Sequence, residues 1–332
     1  MAGSAPFPVS DHCDGRRFFN PAGQLQARSF SDLPKWWWQR LVAGQGERWP
    51  RTMPAPAPPR LPANVPAGRL AVTFIGHSTF LLQLPGLNIL TDPIFSARAG
   101  PFSWAGPKRV RPPALSLGQL PRIDVVLVSH NHYDHLDLPS LQWLARERSP
   151  LIVTTLGNKA WLESRGVGRV GAELDWWQAH RAAPGLEVVC TPAQHFAARW
   201  PWDRCRSLWG GFALKTSAGV LYFAGDSGYC GAFREIGARL GPFALALIPI
   251  GAYEPRWFMT PVHMNPDEAV RAHLEVRSRR SIGMHFGTFQ LTDEGIDAPL
   301  QHLAAARTVH GVAPHKFQTL GFGETWLLPL YH

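Results

Sequence analysis

The sequence predicts an α+β protein of four layers, an αββα sandwich of two face-to-face sheets with helices outside, preceded by an N-terminal arm. Three observations predict it. Short strand-like runs and helical segments mix through two successive halves of the chain. One run, Asp124 to Ser129, is almost continuous Val and Leu, the pattern of a strand covered on both faces. The Pro-rich stretch Met53 to Pro66 cannot hold regular structure, so it separates an arm, residues 1–69, from a domain spanning 70–332.

Each element follows from its pattern. In the arm, Trp36, Trp37 and Trp38 lie between Lys35 and Arg40, a composition that suits either the water–lipid interface or packing onto the domain. Leu70 to Ile75, Phe80 to Leu84 and Leu87 to Thr91 are apolar runs broken by Gly76-His77-Ser78 and Pro85-Gly86, a β-meander. Beyond Asp124 to Ser129, helices are expected at Pro139 to Arg146 and Asn158 to Arg165. Strands are expected at Leu151 to Thr155, Glu187 to Thr191, Phe212 to Lys215 and Val220 to Ala224. Helices at Ala232 to Leu240 and Pro266 to Leu274 precede strands at Leu245 to Ile248 and Ser281 to Met284. The Pro266 helix carries Asn265 as N-cap, with Asp267 and Glu268 at the positive end of its dipole.

The 332 residues are 45% hydrophobic, enough for a sizeable core, and the net charge of +9 favours anionic partners without choosing among them. Cys13, Cys190, Cys205 and Cys230 are scattered, which favours reduced thiols. Met1 to Asn20 contains no signal-peptide core, and the best apolar run, Phe243 to Ile250, is far short of the roughly 20 residues of a spanning helix. A cytoplasmic protein, soluble or peripheral on a membrane, is expected.

The most informative segment is Val128-Ser129-His130-Asn131-His132-Tyr133-Asp134-His135-Leu136-Asp137, three imidazoles and two carboxylates directly after an apolar strand. A loop at a strand tip aims such side chains into one cleft while the sheet holds the backbone rigid. His130 and His132 can face one metal; Asp134 and His135 can face a second. Zinc accepts His nitrogen and carboxylate oxygen and keeps a position open in catalytic sites, so four residues cannot complete two sites. His195, Asp226 and His285 each follow a strand and supply the remainder, with Asp226, which has two oxygens, as the shared ligand. A lone His after a strand is ordinarily structural; the cluster that needs completing gives these three their weight. His77, Asp92 and Asp137 read as residues that orient ligands or cap turns, and His12, His180, His273, His302, His310, His315 and His332 as surface or structural.

The surrounding residues resemble the metallo-β-lactamase superfamily, and within it the N-acylphosphatidylethanolamine-hydrolysing phospholipase D family. The match is carried by L-T-D-P-I-F-S-A-R-A from Leu90, G-P-K-R from Gly106, V-S-H-N-H-Y-D-H-L-D from Val128, L-D-W-W from Leu174, A-G-D-S-G-Y-C from Ala224 and I-P-I-G-A-Y-E-P-R-W-F-M from Ile248. The resemblance implies a phosphodiesterase releasing phosphatidic acid and an N-acylethanolamine from a phospholipid at a membrane surface. It implies two zinc ions, with iron or manganese as substitutes: His130, His132 and His195 on one, Asp134, His135 and His285 on the other, Asp226 between. Asp134 and His263 are the implied catalytic residues, and Tyr133 and His263 line the substrate phosphate. Val262 departs from the Gln of animal members, which leaves head-group choice open.

Two zincs would lower the pKa of a shared water toward about 7, making a bridging hydroxide the expected nucleophile, with His263 as proton donor to the leaving alkoxide. Lys108 and Arg109, in a Pro/Gly loop, and Arg199 and Arg256, beside metal-bearing loops, are the candidate anion-binding side chains, against the plainer reading of a solvated charged face. A homodimer is compatible with the sequence. A nuclease is disfavoured because no nucleic-acid module is present, so no nucleic-acid partner is expected; a sugar-phosphate lactonase is the other alternative, and an inactive scaffold would require a missing ligand.

Overall fold

Alternation along one short strand decides how the layers stack. Val125 and Leu127 join the core between the sheets, while Val126 and Val128 join a second core under two helices. In the computed structural model, residues 6–21, 25–27, 30–42, 44, 46–217 and 219–330 are described; His332 lies outside them.

The arm carries a hairpin of β1 (Val9–Ser10) and β2 (Cys13–Asp14), then helix α1 (Leu33–Leu41). The first sheet begins with β3 (Arg69–Gly76), β4 (Thr79–Leu84) and β5 (Leu87–Thr91), antiparallel as the meander predicts. It continues in parallel through β6 (Val125–Val128), helix α2 (Leu138–Glu147), β7 (Leu151–Thr155), helix α3 (Lys159–Ser164) and β8 (Ala172–Leu174). Leu141, Leu144 and Leu162 from these helices seal the outer face against Val126, Val128 and Ile152.

The second sheet opens with β9 (Ala179–Ala183), β10 (Leu186–Thr191), β11 (Gly211–Thr216) and β12 (Gly219–Phe223), all antiparallel neighbours. Helix α4 (Ala232–Leu240) leads to β13 (Leu245–Pro249). Helices α5 (Arg256–Met259) and α6 (Pro266–Glu275) lead to β14 (Ser281–Met284), and helix α7 (Ala298–Val309) to β15 (Phe317–Gln318). Strands β12 to β15 are parallel. Finally β16 (Thr325–Pro329) returns to the first sheet and pairs antiparallel with β3. Because β10 is two antiparallel steps from β12, the strands β10, β12 and β14 point the same way and deliver their following loops to one edge.

The arm lies against the domain. His12 is buried, its ring stacked on Trp176 at 4.3 Å and its Nε2 2.8 Å from Asp175 Oδ1. Trp36 is buried too: its Nε1 donates to Asp293 Oδ2 at 2.6 Å and its ring meets Phe258 at 5.2 Å. Trp37 and Trp38 stay exposed. All four cysteines are free. Among the described residues no helix is long and apolar enough to cross a membrane.

Candidate metal centre

Every predicted ligand arrives from a strand tip. His130, His132, Asp134 and His135 follow β6; His195 follows β10, Asp226 follows β12 and His285 follows β14. Gly225, at φ +61°, makes the turn that brings Asp226 in: a Cβ there would meet Gly210 O at 2.6 Å and Ser129 Cβ at 2.9 Å. Three other residues at the site, His77 (φ 59°), Asp92 (φ 30°) and His285 (φ 63°), hold left-handed backbone despite their side chains, at a cost of about 1–3 kcal/mol each. Cross-links hold them there: His285 N–H donates to His77 O at 2.9 Å and His77 N–H to Thr288 Oγ1 at 3.0 Å.

Two groups of side chains result. In the first, His132 Nδ1 lies 2.9 Å from His130 Nε2 and 3.2 Å from His195 Nε2. In the second, Asp134 Oδ2 lies 3.4 Å from His135 Nε2 and 3.3 Å from His285 Nε2. Asp226 Oδ2 sits between them, 4.0 Å from the Nε2 atoms of His130 and His195, 3.0 Å from that of His135 and 3.1 Å from that of His285.

The donor set fits cations. His195 Nδ1 donates to the backbone carbonyl of Val262 at 2.8 Å, and His130 Nδ1 donates to Ser129 Oγ at 2.9 Å while that hydroxyl donates to Asp92 at 2.5 Å. Both rings therefore turn a lone pair at Nε2 toward His132 Nδ1, whose single hydrogen could satisfy only one of them. Asp226 Oδ1 and His285 Nδ1 are buried with no hydrogen-bond partner among the described residues as well. Three converging imidazoles and a buried unpaired carboxylate oxygen are what a divalent cation would satisfy.

Electrostatics agrees. Burial, then the neighbouring imidazoles, holds His130 well below the usual histidine range and His132 at about 3; burial, partly offset by Asp226 and the Val262 carbonyl, holds His195 at about 4. Burial also opposes charge on His135 and His285, but Asp226 and Asp134 outweigh it, lifting His135 well up and His285 to about 9. Burial resists ionisation of Asp134 and Asp226 in turn, yet the facing imidazoles, His135 foremost, hold both well below the carboxylate range.

Supporting residues surround the ligands. Asp92 accepts from His135 Nδ1 at 2.6 Å and from Ser129, so it fixes the ring that presents Nε2 inward. His77 Nε2 lies 3.0 Å from Asp134 Oδ2. Asp137 ties the loop after β5 to the start of α2 through Ser96 and Ser140. The bond at Val262 is made by the backbone carbonyl, so it does not depend on which side chain stands at that position.

A model of the beta-lactamase superfamily domain matches residues 87–286. The N-acyl-phosphatidylethanolamine-hydrolyzing phospholipase D 1 of Caenorhabditis elegans is 42% identical over 271 residues, 77% of this chain and 75% of that protein. This chain belongs to that family. The mitochondrial N-acyl-phosphatidylethanolamine-hydrolyzing phospholipase D of Saccharomyces cerevisiae is 37% identical over 70% of this chain, which spans only half of the yeast protein. Igni18, a metallo hydrolase of Ignicoccus hospitalis, shares the fold at TM-score 0.58 and 22% identity, over 78% of this chain and 98% of its own. This member of the family is accordingly a metal-dependent hydrolase of the metallo-β-lactamase fold.

The remaining candidates separate by what occupies their donors. His263 reaches the centre: its Nδ1 is 3.9 Å from Asp226 Oδ2 and has no hydrogen-bond partner among the described residues, and its ring is 5.1 Å from His195. Burial holds it well below the histidine range, against the raising effect of Asp226. Tyr133 and Arg199 line a cavity of about 380 Å³ beside the metal-bearing loop, with the Arg199 guanidinium 4.0 Å from the Tyr133 ring centre. Arg199 also clamps that loop by donating to Asn131 O and Leu136 O. Two candidates need correction. Arg109 is buried and donates to Ser96 O and Ile94 O, which makes it a staple of its own loop. Arg256 is taken up by Glu268 and by the carbonyl of His263, so it positions that histidine. Lys108 is exposed on the same loop as Arg109 and does not line the cavity. The sequence signal for both corrections was faint, since the partners of each arginine are largely backbone carbonyls.

Proposed function

We propose that this protein hydrolyses N-acylphosphatidylethanolamine-type glycerophospholipids to phosphatidic acid and an N-acylethanolamine, using two zinc ions, at a membrane surface. The observation that carries the reading is Asp226 Oδ2, within 4.0 Å of ligand imidazoles from both groups. His130, His132 and His195 would hold one ion; Asp134, His135 and His285 the other; Asp226 would be shared. When bound, such a pair supplies Lewis acidity to the phosphoryl oxygens and to the attacking water.

The chain's own residues do the rest. Asp92 and the Val262 carbonyl fix the rings of His135 and His195 so that Nε2 faces the centre. Tyr133 and Arg199 offer a hydroxyl and a cation at the cavity wall, where an anionic ester can be oriented. His263, its backbone carbonyl held by Arg256, stands 3.9 Å from Asp226 Oδ2, where its ring would face the substrate phosphate and give a proton to the leaving alkoxide. The names of the nematode and yeast relatives support the substrate class.

The test offers vesicles of N-acylphosphatidylethanolamine, a bis(p-nitrophenyl) phosphodiester, single-stranded RNA and a lactone to the zinc-loaded protein, with and without chelator. Phosphatidic acid should appear from the vesicles only without chelator, and Asp226→Asn should lower the rate at least about a hundredfold. Turnover of the lactone or the RNA alone would overturn the proposal.

A further inference from the structure

Four large aromatic side chains stand exposed at the rim of the cavity that Tyr133 and Arg199 line. Phe102 (50% exposed) and Trp104 (75%) come from the loop between β5 and β6; Trp200 (38%) and Trp202 (65%) come from the loop between β10 and β11. Phe102 and Trp200 line the cavity itself. The rings form one continuous ridge. Trp104 stacks on Phe102 with centres 5.2 Å apart, Phe102 meets Trp200 edge-on at 6.3 Å, and Trp200 stacks on Trp202 at 5.1 Å. Exposed apolar patches of this kind in soluble proteins mark contact surfaces.

Charge selects the partner. Arg98 and Arg165 line the cavity and Lys108 is exposed on the loop that carries Phe102, and among the described residues these three make no ion pair with a carboxylate. A surface that is both aromatic and cationic suits an anionic bilayer, where indole rings settle at the headgroup level and basic side chains meet lipid phosphates. Single-stranded nucleic acid is a poorer fit. Both parallel pairs, at 10° and 4°, are already closed on each other, so only their outer faces are left for a base.

We propose that this aromatic ridge is the surface with which the protein rests on an anionic phospholipid bilayer, so that the cavity opens toward the lipid. The inference rests on the lipid reading of the metal centre, but it is tested by partition, with no turnover required. Trp104 and Trp202 do not line the cavity, so the variant W104A/W202A should sediment with phosphatidylcholine/phosphatidylglycerol vesicles at least about tenfold more weakly than the parent. Its turnover of the water-soluble bis(p-nitrophenyl) phosphodiester should match the parent's, which also reports that it folds; if it does not, the two single variants replace it in the same assay.

Equal sedimentation of parent and variant would overturn the proposal. So would a parent that is dimeric in sedimentation velocity and a variant that is monomeric, since a second copy would then cover the ridge. Ridge-dependent vesicle binding by a parent that hydrolyses no phospholipid would support the ridge and refute the substrate reading, which keeps the two failures distinct.

Discussion

At the residue scale, the metal centre depends as much on side chains that aim the ligands as on the ligands. Asp92 holds His135 through one hydrogen bond and Ser129 through two more. Asp92→Asn should therefore weaken metal affinity about 10- to 100-fold, measured by competition with a chromophoric chelator, while leaving the far-ultraviolet circular dichroism unchanged. The seven proposed ligands were legible because H-x-H-x-D-H and the three later residues each follow an apolar run, and a strand tip is where a sheet can aim a side chain. The donor bookkeeping of Arg109 and Arg256 was not legible. A guanidinium that ends on main-chain carbonyls leaves no mark in the spacing of charged residues. The burial that lowers the pKa of His263 was hidden for a similar reason, since the elements that cover it are far apart in sequence.

At the scale of elements, patterns read well where burial was two-sided or a cap was present. Helix α6 begins as its sequence dictates: Asn265 Oδ1 accepts from Glu268 N–H at 2.9 Å, and Glu268 Oε2 accepts from Asn265 N–H at 2.9 Å. Asn265→Ala should cost about 1 kcal/mol, seen as a lower urea midpoint with an unchanged slope. Other elements leave fainter traces. Strand β9, Ala-His-Arg-Ala-Ala, is an edge strand with no fully buried residue, so it lacks the apolar alternation of its neighbours. Helix α7 buries only Pro299, Leu303 and Ala306, too few for a clear stripe. The hairpin β1–β2 has two residues per strand, and its place is set by tertiary contact through His12.

At the scale of the whole molecule, the arm is fastened at separate points on the domain, and one of them titrates. Burial opposes charge on His12, but hydrogen bonds to Asp175 and Asp11 outweigh it, so its pKa lies above 6.5. A histidine raised in the folded state adds stability in full below its unfolded value, about 6.5, and loses that contribution as pH climbs through the raised value. The melting temperature of His12→Gln should thus fall furthest below the parent's in mildly acidic buffer, with the gap narrowing toward alkaline pH; a gap that widens would refute the link. The opposite end of the chain has a different consequence. Thr325 pairs with Thr73, 252 residues earlier, when β16 covers the outer edge of β3. As the protein emerges from the ribosome, that edge keeps a row of unsatisfied amides and carbonyls until the last strand is made. A nascent chain is therefore open to edge-to-edge aggregation for as long as the stretch between β3 and β16 is being translated.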